Sequence, residues 1–255
     1  MIFTHTGLMG DFVQTWPIAS WYYKQTGEKI TFVLANVPCF NTIDELLLKQ
    51  PFTEKLIKVP HKVDHWGMGG QPYRFNPADF GIYGEYVNLG FRGWPEPEVN
   101  SKKWVPFFVA NEYRFDVDLD YVIEVEGTPN STNDIIINRF ESPADFQSKL
   151  YDDGGKRNWG EYMLTNYIPA RSKLLTPGKG LYHDLMLMKN SKHVYTSEGG
   201  IAAILDLMDI DFTIYYKERD RYPGWWFEDV YYKPNNLKRQ FISVPEYLDE
   251  PKLIY

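Results

Sequence analysis

The sequence has a single cysteine, Cys39, among 255 residues, so no disulfide can form within the chain. That usage favours a reducing compartment, and a cytoplasmic location is expected. Cys39 itself reads as a small core residue rather than a nucleophile. No stretch reaches the ~20 apolar residues that a membrane-spanning helix needs. Met1 to Thr4 leads through His5 into a glycine turn, not into the apolar core of a signal peptide. Basic residues are not in excess. The net charge is −7, which argues against a broadly cationic nucleic-acid surface but leaves room for a local basic patch. Neither a P-loop nor the dinucleotide fingerprint occurs.

Apolar and aromatic residues are plentiful. The hydrophobic share is 44% and the aromatic share 17%, enough for one large core or two small ones. Tyrosine and tryptophan fill cores, and they also line carbohydrate and base-stacking sites.

Along the chain, Ile2–Thr6 reads as a short buried strand. Gly7-Leu8-Met9-Gly10-Asp11 breaks it, and helical spacing resumes from Phe12 to Thr26. Pro17 predicts a kink or a separated first turn, and Gly27 a helix stop. Ile30–Ala35 is a strand buried on both faces, Thr42–Lys49 a short helix and Lys55–Val59 a third strand. This alternation predicts a parallel sheet. Residues 60–115 are rich in Gly, Pro and aromatic residues and read as long loops over the sheet edge. Tyr121–Val125 is again strand-like, and 127–131 is a linker. A second α/β pattern follows: strands at 134–138, 193–196 and 212–216, and helices at 159–168, 181–188 and 201–208.

Two strand-to-helix turns carry the candidate chemistry. In the first, Gly7 and Gly10 allow close approach to the backbone, and Asp11 falls at the carboxyl end of a strand, where open α/β sheets place ligands. Asp11 reads either as a general base at a cleft rim or as a helix cap. In the second, Ser197-Glu198-Gly199-Gly200 precedes an Ala-containing helix. Ser197, Gly199 and Gly200 fit a diphosphate cradle and Glu198 a ribose contact; the same residues also fit an ordinary capped helix start.

The turn Gly7-Leu8-Met9-Gly10-Asp11, with Thr15 and Pro17 in the helix after it, resembles the opening of the heptosyltransferase-like family 9 glycosyltransferases. The segment from Leu185 to Tyr216, with Ser197–Gly200 inside it, is similar to that family's second signature. The resemblance implies a GT-B-like α/β fold, with two Rossmann-like domains whose parallel sheets face a central cleft. The expected division is 1–127, 128–235 and a C-terminal tail, 236–255, packing back on the first domain.

The resemblance also implies inverting, metal-independent hexosyl or heptosyl transfer from a nucleotide diphosphate sugar, which is a co-substrate, with no separate cofactor. Asp11 matches the catalytic base. Gly10, Ser197, Glu198, Gly199 and Gly200 match the donor side, and Arg139, Lys156 and Arg157 resemble its basic diphosphate contacts. The acceptor hydroxyl is that of a glycan or of a hydroxymethylated DNA base of phage type. The sequence departs from the family in having Glu198 in place of Asp and no histidine after the donor-loop glycine. A non-catalytic nucleotide-sugar-binding or interaction module is the other reading.

Other motifs carry less. His61 and His65 have helical ligand spacing, but no third ligand lies nearby and no metal is expected. Asp116, Asp118 and Asp120 alternate as on one face of a solvated edge strand. Tyr222–Phe227, Tyr231 and Tyr232 fit stacking on a base or sugar, or packing of the C-terminal segment across the domains.

Overall fold

The computed structural model describes residues 1–6, 9–36, 42–60, 75–90, 104–138, 173–174, 180–197, 199–217 and 231–244. They form an α/β protein with two wholly parallel sheets. The first contains β1 (Ile2–His5), β2 (Ile30–Ala35), β3 (Thr53–Val59) and β4 (Tyr86–Asn88), in the order β3-β2-β1-β4. The second contains β5 (Ile135–Asn138), β6 (Lys173–Leu174), β7 (His193–Ser197), β8 (Phe212–Lys217) and β9 (Arg239–Val244), in the order β6-β5-β7-β8-β9.

The first half follows its sequence closely. All six residues of β2 are buried, as its unbroken apolar run requires of a strand covered on both faces. The helical segment after β1 is divided as Pro17 predicts, into α1 (Met9–Gln14) and α2 (Trp16–Thr26). Thr15 makes the break, its hydroxyl donating to the Phe12 carbonyl at 2.6 Å. Gly27 closes α2 in the left-handed conformation, and its N–H donates to the Tyr23 carbonyl. A short helix α3 (Asp44–Leu48) connects β2 to β3.

Several expectations are corrected. The stretch 60–115 is not loop throughout: its described parts contain a 3-10 turn (Pro77–Phe80), β4 and helix α4 (Val105–Glu112). β4 is only three residues long and α4 is short, with Pro106 in its first turn, so neither shows a clear period. Tyr121–Val125 has the alternating burial of a strand but joins no sheet. The Leu207 carbonyl, which accepts from the Ile123 N–H at 2.6 Å, and the amide of buried Gln50 take the place of a strand neighbour. The Gln50 Nε2 donates to the Glu124 carbonyl, and its Oε1 accepts from the Glu124 N–H (3.0 Å) and the Tyr121 hydroxyl (2.9 Å). The Asp116–Asp120 segment is not a strand either. Asp118 accepts from the Ser20 hydroxyl at 2.5 Å and pairs with Lys24 at 2.6 Å, tying the segment to α2.

The stretch 127–131 lies between the two sheets and is anchored. The Asn190 side chain, at the end of α5 (Leu181–Asn190), accepts from the Thr128 N–H at 2.9 Å, and the Lys189 carbonyl accepts from the Asn130 N–H. Of the expected tail 236–255, residues 245–255 lie outside the described residues. Residues 239–244 are β9, paired in parallel with β8, while contacts back to the first half come from Tyr231 and Lys233. The expected helix at 159–168, together with Cys39, His61, His65 and Tyr222–Phe227, lies outside the described residues.

One buried hydrophobic cluster runs through both halves, from Phe3 and Trp16 to Ile204 and Ile214. Among the described residues, no helix is long and apolar enough to cross a membrane.

Candidate functional site

In an open parallel sheet, ligands bind beyond the carboxyl ends of the strands, where the strand order reverses. In the first sheet the reversal lies between β1 and β4, and in the second between β5 and β7. The turn after β1 leads to Asp11. The turn after β7 is the Ser197–Gly200 stretch, which leads into α6 (Gly200–Asp206). Both sequence-predicted turns therefore stand at switch points.

The two turns also meet. α1 and α6 pack against each other, with Gly10 facing Gly200. A Cβ on Gly10 would stand 3.3 Å from the Gly200 Cα and 3.6 Å from the Ala203 Cβ. A Cβ on Gly200 would stand 3.5 Å from the Gly10 nitrogen and overlap the Met9 terminal methyl. Glycine at both positions lets the helices approach this closely. Gly199, at φ 138°, holds a backbone conformation that other residues adopt only with strain.

Asp11 lies in the first turn of α1 and is only 6% exposed. The Tyr231 hydroxyl donates to its Oδ1 at 3.2 Å. The Trp104 indole N–H is shared between Gln14 Oε1 (3.0 Å) and the Tyr231 carbonyl (3.2 Å). Gln14 sits three residues after Asp11 in α1, so this indole fixes both the helix that carries Asp11 and the backbone that carries Tyr231.

Beyond Tyr231 the chain is held by Asp206, the last residue of α6. Asp206 Oδ2 accepts from the Lys233 N–H at 2.6 Å, and Oδ1 accepts from Asn236 at 3.0 Å and from Arg239. Asp206 is fully buried. Desolvation raises its pKa, against the opposing pull of Arg239, Lys233 and Asn236. At the carboxyl end of β1, buried His5 packs on Phe12 with ring centroids 5.3 Å apart. Desolvation lowers its pKa to about 3, so its imidazole is neutral near pH 7.

Of the sequence-predicted site residues, Asp11, Gly10, Gly199 and Gly200 converge, and the backbone of Ser197 ends β7 beside them. Glu198, Arg139, Lys156 and Arg157 lie outside the described residues. Sequence reasoning missed Trp104, Gln14 and Asp206, and it saw Tyr231 only as a stacking or packing residue. No local signal marks them, because their partners are up to 220 residues away.

Asp116 accepts from the adjacent Val117 N–H and Asp118 is engaged by α2, and no group of three or more metal-ligating side chains occurs among the described residues. A surface depression of about 320 Å³ near Ile2, Tyr22 and Glu28 lies at the other end of β1 from Asp11.

The fold is that of a two-sheet, GT-B-like α/β protein. Two solved structures of an E. coli enzyme are similar to it: heptosyltransferase WaaC with ADP (TM-score 0.50, 12% identity) and the same enzyme with ADP-2-deoxy-2-fluoro heptose (TM-score 0.50, 10% identity). Each similarity covers 96% of this chain and 93% of the other. No family model matches the sequence, and no curated protein matches it.

Proposed function

We propose that this chain is a nucleotide-sugar glycosyltransferase, inverting and metal-independent, with Asp11 as its general base. The observation that carries the reading is the meeting of the Asp11 turn and the Gly199–Gly200 turn, one from each sheet, at Gly10 and Gly200. The similarity in fold to an enzyme solved with ADP and with a fluorinated ADP-heptose supports it.

In this reading the acceptor oxygen bonds to the anomeric carbon from the Asp11 side, and its proton passes to the Asp11 carboxylate. The bond from that carbon to the diphosphate breaks, and its electron pair leaves on the diphosphate oxygen. The turn Ser197, Glu198, Gly199 and Gly200 receives the diphosphate, with Arg139, Lys156 and Arg157 supplying positive charge. The domains divide at 127/128. The acceptor is a glycan hydroxyl or a hydroxymethylated base in DNA, and the reaction is cytoplasmic.

A thermal-shift screen across nucleotide diphosphates and their sugars tests donor binding. A ligand at 100 times its Kd stabilises by about 2.7 kcal/mol. No shift with any of them removes the reading. Asp11→Asn should lower turnover by about 10²–10⁴-fold while the melting transition persists. Turnover at the wild-type level in that variant would take the base role from Asp11.

DNA as acceptor predicts binding that weakens steeply with salt. The direct contacts of Met9 with Gly200 and of Tyr231 with Asp11 favour a second reading, a closed module that binds nucleotide sugars without turning them over. Binding with no release of nucleotide diphosphate from any donor would establish that one.

A further inference from the structure

Tyr231 reaches Asp11 from the far end of the chain, and it is held there on several sides. Its carbonyl accepts from Trp104, and the neighbouring Tyr232 is fully buried. Two residues on, the Lys233 N–H is bound by Asp206 and its Nζ donates to the Tyr121 carbonyl at 3.2 Å. Gly10 leaves the space: a Cβ there would stand 2.6 Å from the Tyr231 oxygen. The hydroxyl thus has a built seat against the carboxylate.

We propose that Tyr231 is a cap on Asp11, occupying the place of an acceptor hydroxyl and keeping water from the base until an acceptor displaces it. The inference rests on the transferase reading and concerns the regulation of that same site. A carboxylate able to accept a proton from an acceptor hydroxyl can also accept one from water. The water oxygen would then bond to the anomeric carbon, the bond to the diphosphate would break with its electron pair on the leaving oxygen, and the donor would be hydrolysed. A phenol loses its proton near pH 10 and a carboxylic acid near pH 4, so Tyr231 donates a hydrogen bond without surrendering the proton. Tyr231 is therefore a positioning residue: it restrains the base and takes no part in the transfer.

The test needs no knowledge of the acceptor. Release of nucleotide diphosphate is measured from ADP-heptose, UDP-glucose and GDP-mannose, without acceptor, for the wild type, Tyr231→Phe and Gly10→Ala. Tyr231→Phe deletes the donor hydroxyl. Gly10→Ala displaces it, and the melting temperature of each variant reads any folding defect separately. The cap predicts that both raise hydrolysis about tenfold, the size of one lost hydrogen bond to a charged group. Adding Asp11→Asn to Tyr231→Phe should remove the rise.

A purely structural tie would produce no such gain. If the donors raise the melting temperature yet neither variant hydrolyses them faster than the wild type, the cap is overturned and the transferase reading stands. If no donor raises the melting temperature and none is hydrolysed by any form, the transferase reading has failed and the cap falls with it.

Discussion

The two sheets present the same device, a strand, a glycine turn and a short helix, but they surround it differently. Around α1 the core is aromatic: Phe12 packs edge-on against Trp16 and Phe32, each at 5.8 Å, and Trp16 meets Phe52 at 6.1 Å. Around α6 it is mainly aliphatic, with Ile204, Leu205, Val194 and Ile214 all fully buried. The first turn is followed by a carboxylate, Asp11, and the second by Ile201. One module thus serves two purposes. Against an aromatic wall it presents a titratable group, and in the other half it presents bare backbone on which the facing helix packs directly, an approach that only glycine permits.

Polar anchoring differs in the same way. The second half has a largely buried ion pair, Asp206 with Arg239, whereas the first half is tied to its surroundings by partly exposed pairs such as Lys24 with Asp118.

The contrast can be broken from either side. Trp16→Ala should cost about 3–5 kcal/mol, through lost burial and a cavity among aromatic edges. Asp206→Ala should cost a similar amount for another reason, because it strands the Arg239 guanidinium in a buried site. Chemical denaturation measures both. An Arg239→Leu change added to Asp206→Ala should recover much of the second loss, whereas no polar partner exists to rescue the first. Gly199→Ala should cost about 1–3 kcal/mol from strain at its positive φ, read as a lower melting temperature.

His5 sharpens the contrast through pH. Its folded-state pKa of about 3 lies below the unfolded value of 6.5, so the unfolded chain binds the extra proton between those values. Its share of the stability is complete above pH 6.5 and is lost as pH falls toward 3, at up to about 1.4 kcal/mol per pH unit. His5→Leu should flatten that part of the stability profile. His193 in the second sheet is only half-buried; desolvation lowers its pKa too, against the pull of Asp211, so His193→Leu should flatten the profile less. The smallest effect belongs to Lys24→Ala. Lys24 is largely exposed, and its removal should cost under about 1 kcal/mol in equilibrium unfolding.

What was legible in advance follows from how local each signal is. The run Ile30–Ala35, the break near Pro17 and the stop at Gly27 are decided by neighbouring residues, and each appears where the sequence places it. Tyr121–Val125 carries a true period of two, but alternation reports one-sided burial and not a ladder partner. Here the partners are scattered: the Gln50 amide, the Leu207 carbonyl that accepts from the Ile123 N–H, and the Lys233 ammonium on the Tyr121 carbonyl. Residues 239–244 could not be assigned to the second sheet from pattern alone, because an edge strand is specified by the neighbour it meets.

By itself, the sequence determined the α/β class, the parallel sense of the strands and the two glycine turns, because propensity, periodicity and steric freedom act over a few residues. Only the tertiary structure decided that Gly10 lies against Gly200, that Asp206 clamps the returning chain, and that Tyr231 reaches Asp11 from 220 residues away. Those contacts depend on closing long loops around one shared core, and no short window of sequence contains both partners.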